Sequence, residues 1–297
     1  MLGSIYALVA LGYTMVYGIM ELINFAHGEV TMMGAMISLA VIGVLTATGV
    51  QLPGPAVVVI ALLVAIVLCA LLGFLIERIA YRPLRHAPRL APLITAIGLS
   101  IVLQNVAMII WGKHYITFPP LLTLTKYTIG GATITNLQIM IITLSFLLMS
   151  GLLLLIHKTR LGRAMRATAQ APAIASLMGV NTHTIISLTF VLGSMLAAVA
   201  GVMVSIYYGL AHYYMGFMLG LKAFTAAVLG GIGNVGGAVL GGLLLGIIES
   251  LGAGYIGALT GGLFGSNYQD VFAFFVLILV LTLRPSGLLG ERVVDRP

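Results

Sequence analysis

The sequence predicts an all-α polytopic membrane protein, with about eight transmembrane helices plus a broken glycine-rich segment. Three observations carry that prediction. Of the 297 residues, 61% are hydrophobic and only 7% charged, against roughly 25% charged in soluble domains. The apolar residues gather into repeated runs of about 20, the length a helix needs to cross hydrocarbon while satisfying its own backbone groups. The cations gather too: Arg78, Arg82, Arg85 and Arg89 in one segment, Lys158, Arg160, Arg163 and Arg166 in a second, and Arg284, Arg292 and Arg296 in the tail make up eleven of the fourteen Lys and Arg.

Seven runs are clear, near 3–20, 30–48, 55–76, 90–111, 137–156, 184–208 and 235–256. An eighth, about 267–283, is short but unbroken over 271–283, and the stretch 214–233 is apolar except for Lys222. The first run has no basic start and leads straight into more membrane helices, unlike a cleaved leader. Loops rich in Lys and Arg stay cytoplasmic, so the three cationic segments share that side. Two helices separate the first pair of segments, but three clear ones separate the second from the tail. Parity therefore assigns another crossing to 214–233 and puts the N-terminus outside. The whole chain, 1–297, reads as one transmembrane domain with a cytoplasmic segment 157–183, an external loop 112–135 and a cytoplasmic tail 284–297.

The net charge of +7 is too thinly spread for a nucleic-acid groove, and the membrane's own anionic lipid accounts for cytoplasmic cations. Cys69 is the one cysteine, with no partner for a disulfide and none at metal-ligand spacing. The interruption 21–29, after the first helix, has a counterpart in 214–237, after the sixth, and five helices from the first to the fifth give the two halves opposite orientation. That is the pattern of an inverted repeat whose broken segments meet near the midplane around a transport pathway. Two unrelated surface turns are the other reading.

Ionisable groups at membrane depth are costly unless paired or wetted. Asn24, Phe25, His27, Gly28 and Glu29 cluster in the first interruption, Lys222, Gly230, Gly231 and Gly233 in the second, and Glu249 lies inside the seventh run. These line a translocation pathway in one reading. In the other, Glu29 reaches the interface and Glu249 pairs with Lys222. Gly231, Gly233 and Gly236 match the G-x-G-x-x-G of a dinucleotide site, but membrane runs flank them and no acidic residue follows at the required distance. Spacing by four of Gly233, Gly237 and Gly241, and of Gly242 and Gly246, instead gives the seventh helix small faces for close packing.

In the cytoplasmic segment Arg160, Arg163 and Arg166 recur every third residue and so share one side of a helix. Pro172 suits a first helical position and Gly179 a C-terminal cap, which marks a second short helix. Gly162, Ala164, Ala167, Ala175 and their alanine neighbours make a compact knob of small side chains, suited to a groove on a partner; anchoring to lipid headgroups explains the arginines but not the alanines. Outside, 127–134 reads as a β-hairpin with a Gly130-Gly131 turn, either touching an external partner or capping the bundle. No nucleotide-hydrolysing, zinc-hydrolase or nucleophile-elbow motif occurs, so the chain is not an enzyme and any energy source is another chain or an ion gradient. A gradient would run through Glu249, Lys222 and His27.

The segments Gly12-Tyr-Thr-Met-Val-Tyr-Gly18, Ile23-Asn-Phe-Ala-His-Gly-Glu29, Glu77-Arg-Ile-Ala-Tyr-Arg-Pro83-Leu-Arg85, Leu161-Gly-Arg-Ala-Met-Arg-Ala167 and Lys222-Ala-Phe-Thr-Ala-Ala-Val-Leu-Gly-Gly-Ile-Gly233 resemble the LivH-type permease subunit of ABC importers for branched-chain amino acids, over nearly the whole length. The resemblance implies a bacterial inner-membrane subunit that works with a second related permease, two cytoplasmic ATPases and a periplasmic solute-binding protein. It implies that 163–179 is the segment contacting an ATPase, and that ATP and magnesium belong to those partners, with no cofactor bound by this chain. Members of that family usually carry a longer stretch before the first helix, which implies an earlier start. Related permeases also serve other amino acids, short amides or urea.

Overall fold

The computed structural model describes residues 1–49, 51–85, 87–88, 90–129, 131–261 and 268–290. Arg89, Gly130, Arg292 and Arg296 lie outside the described residues, as does the tail beyond Gly290. The helices, in chain order, are α1 (Leu2–Met20), α2 (His27–Ala47), α3 (Gly54–Leu75), α4 (Leu90–Trp111), α5 (Asn136–Lys158), α6 (Arg160–Gln170), α7 (Pro172–Leu177), α8 (Thr182–Tyr208), α9 (Met215–Gly230), α10 (Val235–Leu259) and α11 (Gln269–Leu283). Four short strands accompany them: β1 (Ile116–Thr117), β2 (Lys126–Ile129), β3 (Ala132–Thr135) and β4 (Leu210–Ala211). Among the described residues, seven helices are long and apolar enough to cross a membrane: α1, α2, α3 with its extension to Leu84, α4, α5, α8 and α10. The all-α polytopic class is therefore what the chain adopts.

Three boundaries differ from the sequence expectation. The helix of α3 does not stop at the cations but continues as a π turn over Ile76–Tyr81 and a 3-10 turn over Arg82–Leu84. Charge ends a hydrophobic run, not a helix, and Ile76 and Tyr81 still have a core to enter. The second helix begins at His27, so His27, Gly28 and Glu29 form its first turn rather than an interruption. The stretch 214–233 is a continuous 16-residue helix, α9, with its break at 231–234. At 16 and 15 residues, α9 and α11 are roughly 24 and 22 Å long at 1.5 Å per residue, short of the ~30 Å of hydrocarbon.

The architecture is centred on α1, whose residues from Gly3 to Val16 are all buried. Around it stand α10, α8, α9 and α5. Large apolar side chains point away from the bundle instead: Leu63 and Val67 of α3, Ile94 and Ile109 of α4, Leu147 of α5 and Ile278 of α11 are more than half exposed, as lipid-facing residues must be. Lipid tails are as apolar as leucine, so helices associate through close packing of small residues. A Cβ on Gly34 of α2 would stand 2.6 Å from Ala198 Cα of α8, and one on Gly3 of α1 would stand 2.9 Å from Leu243 Cα of α10. Gly242 lies on Ala7 and Gly246 on Gly3, while Gly237 and Gly241 face Gly230 and Ala226 of α9. The two small faces expected on this helix thus serve α1 and α9 respectively. Gly233 belongs to neither, because it lies in the turn before α10 with a φ of +93°.

Four helix pairings recur when α1, α2, α3 and α4 are exchanged for α8, α9, α10 and α11. α3 packs on α8 as α10 packs on α1; α2 on α8 as α9 on α1; α2 on α3 as α9 on α10; α2 on α4 as α9 on α11. With antiparallel orientation from the crossing parity, this is an inverted repeat. The exchange also corrects which interruptions correspond. Segment 21–26 matches 209–214, between α8 and α9, whereas 231–234 matches the α2–α3 turn. Outside the bundle β2 and β3 form the expected hairpin, pairing Tyr127 with Ile134 and Thr128 with Thr133. β1 pairs with β4, joining the external loop to the α8–α9 turn.

If backbone proximity holds the bundle, Gly34→Ala should destabilise by about 1–3 kcal/mol through overpacking. Gly43→Ala, on the same helix with nothing within 4 Å of the added carbon, should leave stability unchanged. Thermal unfolding of the two purified variants in one detergent checks the contrast.

Candidate functional site

After α1 ends, Glu21 adopts a left-handed conformation with φ 53° and the chain turns back along the helix it has just left. Asn24, 3% exposed, accepts a 2.9 Å hydrogen bond from the Tyr81 hydroxyl at the cytoplasmic end of α3. By His27 the chain has climbed to the level of Gly12, eight residues or roughly 12 Å up α1. His27 occupies a notch where Gly12 and Gly193 leave space; a Cβ on Gly12 would overlap its Nε2. The Tyr13 ring lies 4.9 Å away, edge to face. Phe25 is half-buried against Phe224, with ring centroids 5.8 Å apart.

Gly28 brings the first turn of α2 onto α9, and a Cβ there would stand 2.7 Å from Gly220 Cα. Glu29, one residue on, is 1% exposed. Its Oε1 accepts hydrogen bonds from Gln104 Nε2 at 2.7 Å and Ser100 Oγ at 3.1 Å, both from α4. Its Oε2 has no hydrogen-bond partner among the described residues.

Lys222 and Glu249 form a second cluster. Lys222 Nζ lies 2.6 Å from Glu249 Oε1 and 2.7 Å from Asp270 Oδ1, with the Tyr6 ring 5.8 Å away. Pairing thus holds these two residues together with a third, Asp270, that sequence reasoning missed. Two residues along a helix is about 200° of rotation, so Lys222 faces away from Gly216 and Gly220, which touch α2. The glycines Gly230, Gly231 and Gly233 form a third group, at the cytoplasmic end of α9 and α10. There Gly233 abuts Tyr17 and Gly18 of α1. The tail lies across Gly231, and Leu288 and Leu289 donate backbone hydrogen bonds to the carbonyls of Leu229 and Gly230. Of the expected meeting between 21–29 and 214–237, the start of α9 does reach Gly28 and Glu29, whereas the helix break at 231–234 lies at the end of α1 instead.

Between α5 and α8, α6 and α7 form a bent elbow. The Thr159 hydroxyl caps α6 by accepting from Gly162 N–H at 3.0 Å, and Gly162 is pressed under the carbonyls of Leu155 and Ile156. Arg166 donates to the Ile156 carbonyl, which satisfies the end of α5 instead of leaving this guanidinium free. Pro172 opens α7, and Gly179, with φ +84°, ends the turn after it. Gly162 and Ala175 are buried and shape the elbow from within; Arg160 and Arg163 are exposed, while Ala164 and Ala167 are half-buried. The most exposed apolar side chains of the elbow were missed: Ile174 at 62%, Met178 at 80% and Leu177 at 87%. Their spacing of three and four residues marks one face of a short helix and was visible in the sequence.

Beyond the elbow, Asn181 caps α8 by accepting from Thr184 N–H at 3.1 Å. In the next turns Ser187 donates to Glu77 Oε2 at 2.6 Å, and Arg85 reaches both Glu77 and His183. On the outer face Tyr115 stacks on His212 at 4.4 Å, and His212 meets Tyr213 at 4.3 Å.

This polytopic arrangement, with polar clusters enclosed in a bundle of membrane-length helices and an exposed elbow between two of them, is that of a membrane transport permease. Residues 1–281 match the family model described as "Branched-chain amino acid transport system / permease component", and the chain belongs to that family. It is 47% identical to the high-affinity branched-chain amino acid transport system permease protein BraD of Pseudomonas aeruginosa, over 99% of this chain and 94% of that one. It is 46% identical to LivH of Escherichia coli K12, over the same shares, and 27% identical to a probable LivH of Methanocaldococcus jannaschii, over 97% and 89%. No solved structure matches the chain. It is a multi-pass membrane protein.

Lys222→Met would leave Glu249, 1% exposed, without its cation. Breaking a buried pair from one side costs about 3–5 kcal/mol, so this variant should unfold at a markedly lower temperature than wild type. Asp270→Asn, which spares the Lys222–Glu249 pair, should lower it far less.

Proposed function

We propose that this chain is a membrane-spanning permease subunit of an ATP-driven ABC importer, moving branched-chain or similar hydrophobic amino acids across the bacterial inner membrane by alternating access. Its partners in this reading are a second related permease, two cytoplasmic ATPases that hold the ATP and magnesium, and an external solute-binding protein; the chain itself binds no cofactor. Segment 157–183 is the coupling element, 112–135 faces the binding protein together with Tyr115 and His212, and 284–297 is cytoplasmic.

The observation that carries the reading is the elbow's tip. Ile174, Leu177 and Met178 are exposed on the short helix that follows the exposed Arg163, in an elbow packed from within by Gly162 and Ala175. Exposed apolar groups clustered on a rigid, cation-flanked projection suit a groove on another protein. Closure of the ATPases would displace the elbow, and α6 would pass that displacement to α1 and α8, against which it packs, so that one repeat moves against the other.

Replacing Leu177 and Met178 with Glu, or Arg163 with Glu and Ala167 with Trp, should reduce ATP-dependent leucine uptake by the reconstituted complex by about tenfold or more while the chain still inserts in the membrane. Wild-type uptake by both variants would refute the coupling role.

A further inference from the structure

The helical extension of α3 touches two separate parts of the chain. Its π turn, Ile76–Tyr81, carries Glu77 and Tyr81, which are 0% and 1% exposed. Both oxygens of the Glu77 carboxylate are engaged: Oε1 accepts from Arg85 of the same extension, and Oε2 accepts from the Ser187 hydroxyl of α8 at 2.6 Å. Arg85 also meets His183, one turn before Ser187. The Tyr81 ring lies 5.1 Å from Phe190 of α8. Residues 183, 187 and 190 share one face of α8, and the extension grips all three.

That face stands directly after the elbow. Val180 N–H donates to the Ala175 carbonyl at 3.0 Å and Asn181 caps α8, so α7 runs into α8 through a closed turn. A buried carboxylate that loses a partner is left with an unsatisfied oxygen and an uncompensated charge. The extension therefore follows the first turns of α8 when they move.

At its other contact the extension holds the connection between α1 and α2. The Tyr81 hydroxyl donates to Asn24 Oδ1 at 2.9 Å, and Asn24 is 3% exposed. Among the described residues this is the one side-chain hydrogen bond of Asn24. Residues 21–26 form the non-helical link that sets where α2 begins, just before His27 and Glu29.

We propose that Glu77 and Tyr81 are positioning residues that carry displacement of the elbow to Asn24 and so shift the start of α2, an inference that rests on the coupling role of the elbow and names the route onward from it. Movement of the elbow draws on His183 and Ser187, the Glu77 carboxylate passes it to the extension, and the Tyr81 hydroxyl takes the 21–26 link with it.

The test measures leucine uptake and ATP hydrolysis on the same proteoliposomes, which hold the assembled complex of both permeases, the ATPases and the leucine-loaded binding protein. Tyr81→Phe removes one hydroxyl and keeps the ring on Phe190. It should lower the leucine imported per ATP hydrolysed by about threefold to tenfold, as should Asn24→Ala, and the two together should cost no more than either alone. Ser187→Ala, at the far end of the chain of contacts, should lower the same ratio and provides the measurement if Asn24→Ala does not assemble. A merely structural role lowers uptake and hydrolysis together and leaves the ratio at its wild-type value. That result overturns the route, as does a double variant whose ratio falls by the product of the two single losses. Full import by the variant with Leu177 and Met178 replaced by Glu sinks the coupling role beneath it; loss of import there, with an unchanged ratio in Tyr81→Phe, sinks this route alone.

Discussion

Backbone must touch backbone along α1, and the rest of the structure depends on that. Inside hydrocarbon the hydrophobic effect offers nothing between one apolar helix and another, so association rests on dispersion at short range and on how closely two chains can approach. α1 meets this requirement on several sides at once. Gly3 and Ala7 receive Gly246 and Gly242 of α10, and Gly12 faces Gly193 of α8. Because α10 and α8 each approach one side of α1, and α3 and α1 each approach α8, the two repeats interlock through the same pairings. Large side chains then have no place in the centre and turn to lipid, which is why α3, α4 and α5 look inside-out beside a water-soluble helix.

So tight a centre also dictates what becomes of the charged groups it encloses. Each has a different solution. Lys222 is held between Glu249 and Asp270, and in this way α11, which packs chiefly on α9 and α10, is tied to the core. Glu77, fully buried, binds Arg85 and Ser187, fastening the first cytoplasmic extension to α8 just beyond the elbow. Glu29 alone accepts only neutral donors, through one oxygen, and keeps the other against a helix start. A carboxylate so arranged ties the first turn of α2 to α4 through Ser100 and Gln104.

Much of this was legible because it rests on local rules. Run length marks the spans, and Pro172 and Gly179 bound α7 and the turn after it. What was hidden depended on packing across the chain. His27 to Glu29 read as an interruption because polar residues lower hydropathy, yet Ser100 and Gln104 from α4, more than seventy residues away, supply what Glu29 needs to be helical. The stretch 214–233 read as broken because of its glycines, but Gly216, Gly220 and Gly230 each face another backbone and are there for proximity, not flexibility. Asp270 stands at the start of the eighth run, just before its unbroken apolar part, and only packing of α11 beside α9 and α10 brings it to Lys222. The exposed apolar trio of Ile174, Leu177 and Met178 was hidden among alanines and arginines, because three apolar residues on so short a helix and its cap are as compatible with a buried face as with an exposed one.

The elbow and Glu29 stand at different depths, and the helices between them decide whether one can act on the other. Met165 and Arg166 of α6 share a small hollow with Gly18 of α1 and with Gly233 and Val235 at the α9–α10 turn. α6 also packs on α8. The cytoplasmic end of α9 is held in turn by the tail, with Asn234 donating to the Leu289 carbonyl at 2.9 Å. The elbow therefore borders α1, α8 and the lower end of α9, while α4 packs on α2 and the extension of α3 and not principally on α6 or α7. A displacement of the elbow that carries α1 and α9 together would move them relative to α4. The space between α9 and α4 is a recess with Ser100 and Gln104 on one wall and Gly216 and Gly220 on the other. Motion of that kind alters its width and the grip on Glu29 in the same step, because the carboxylate spans from the α4 donors to the backbone of α9.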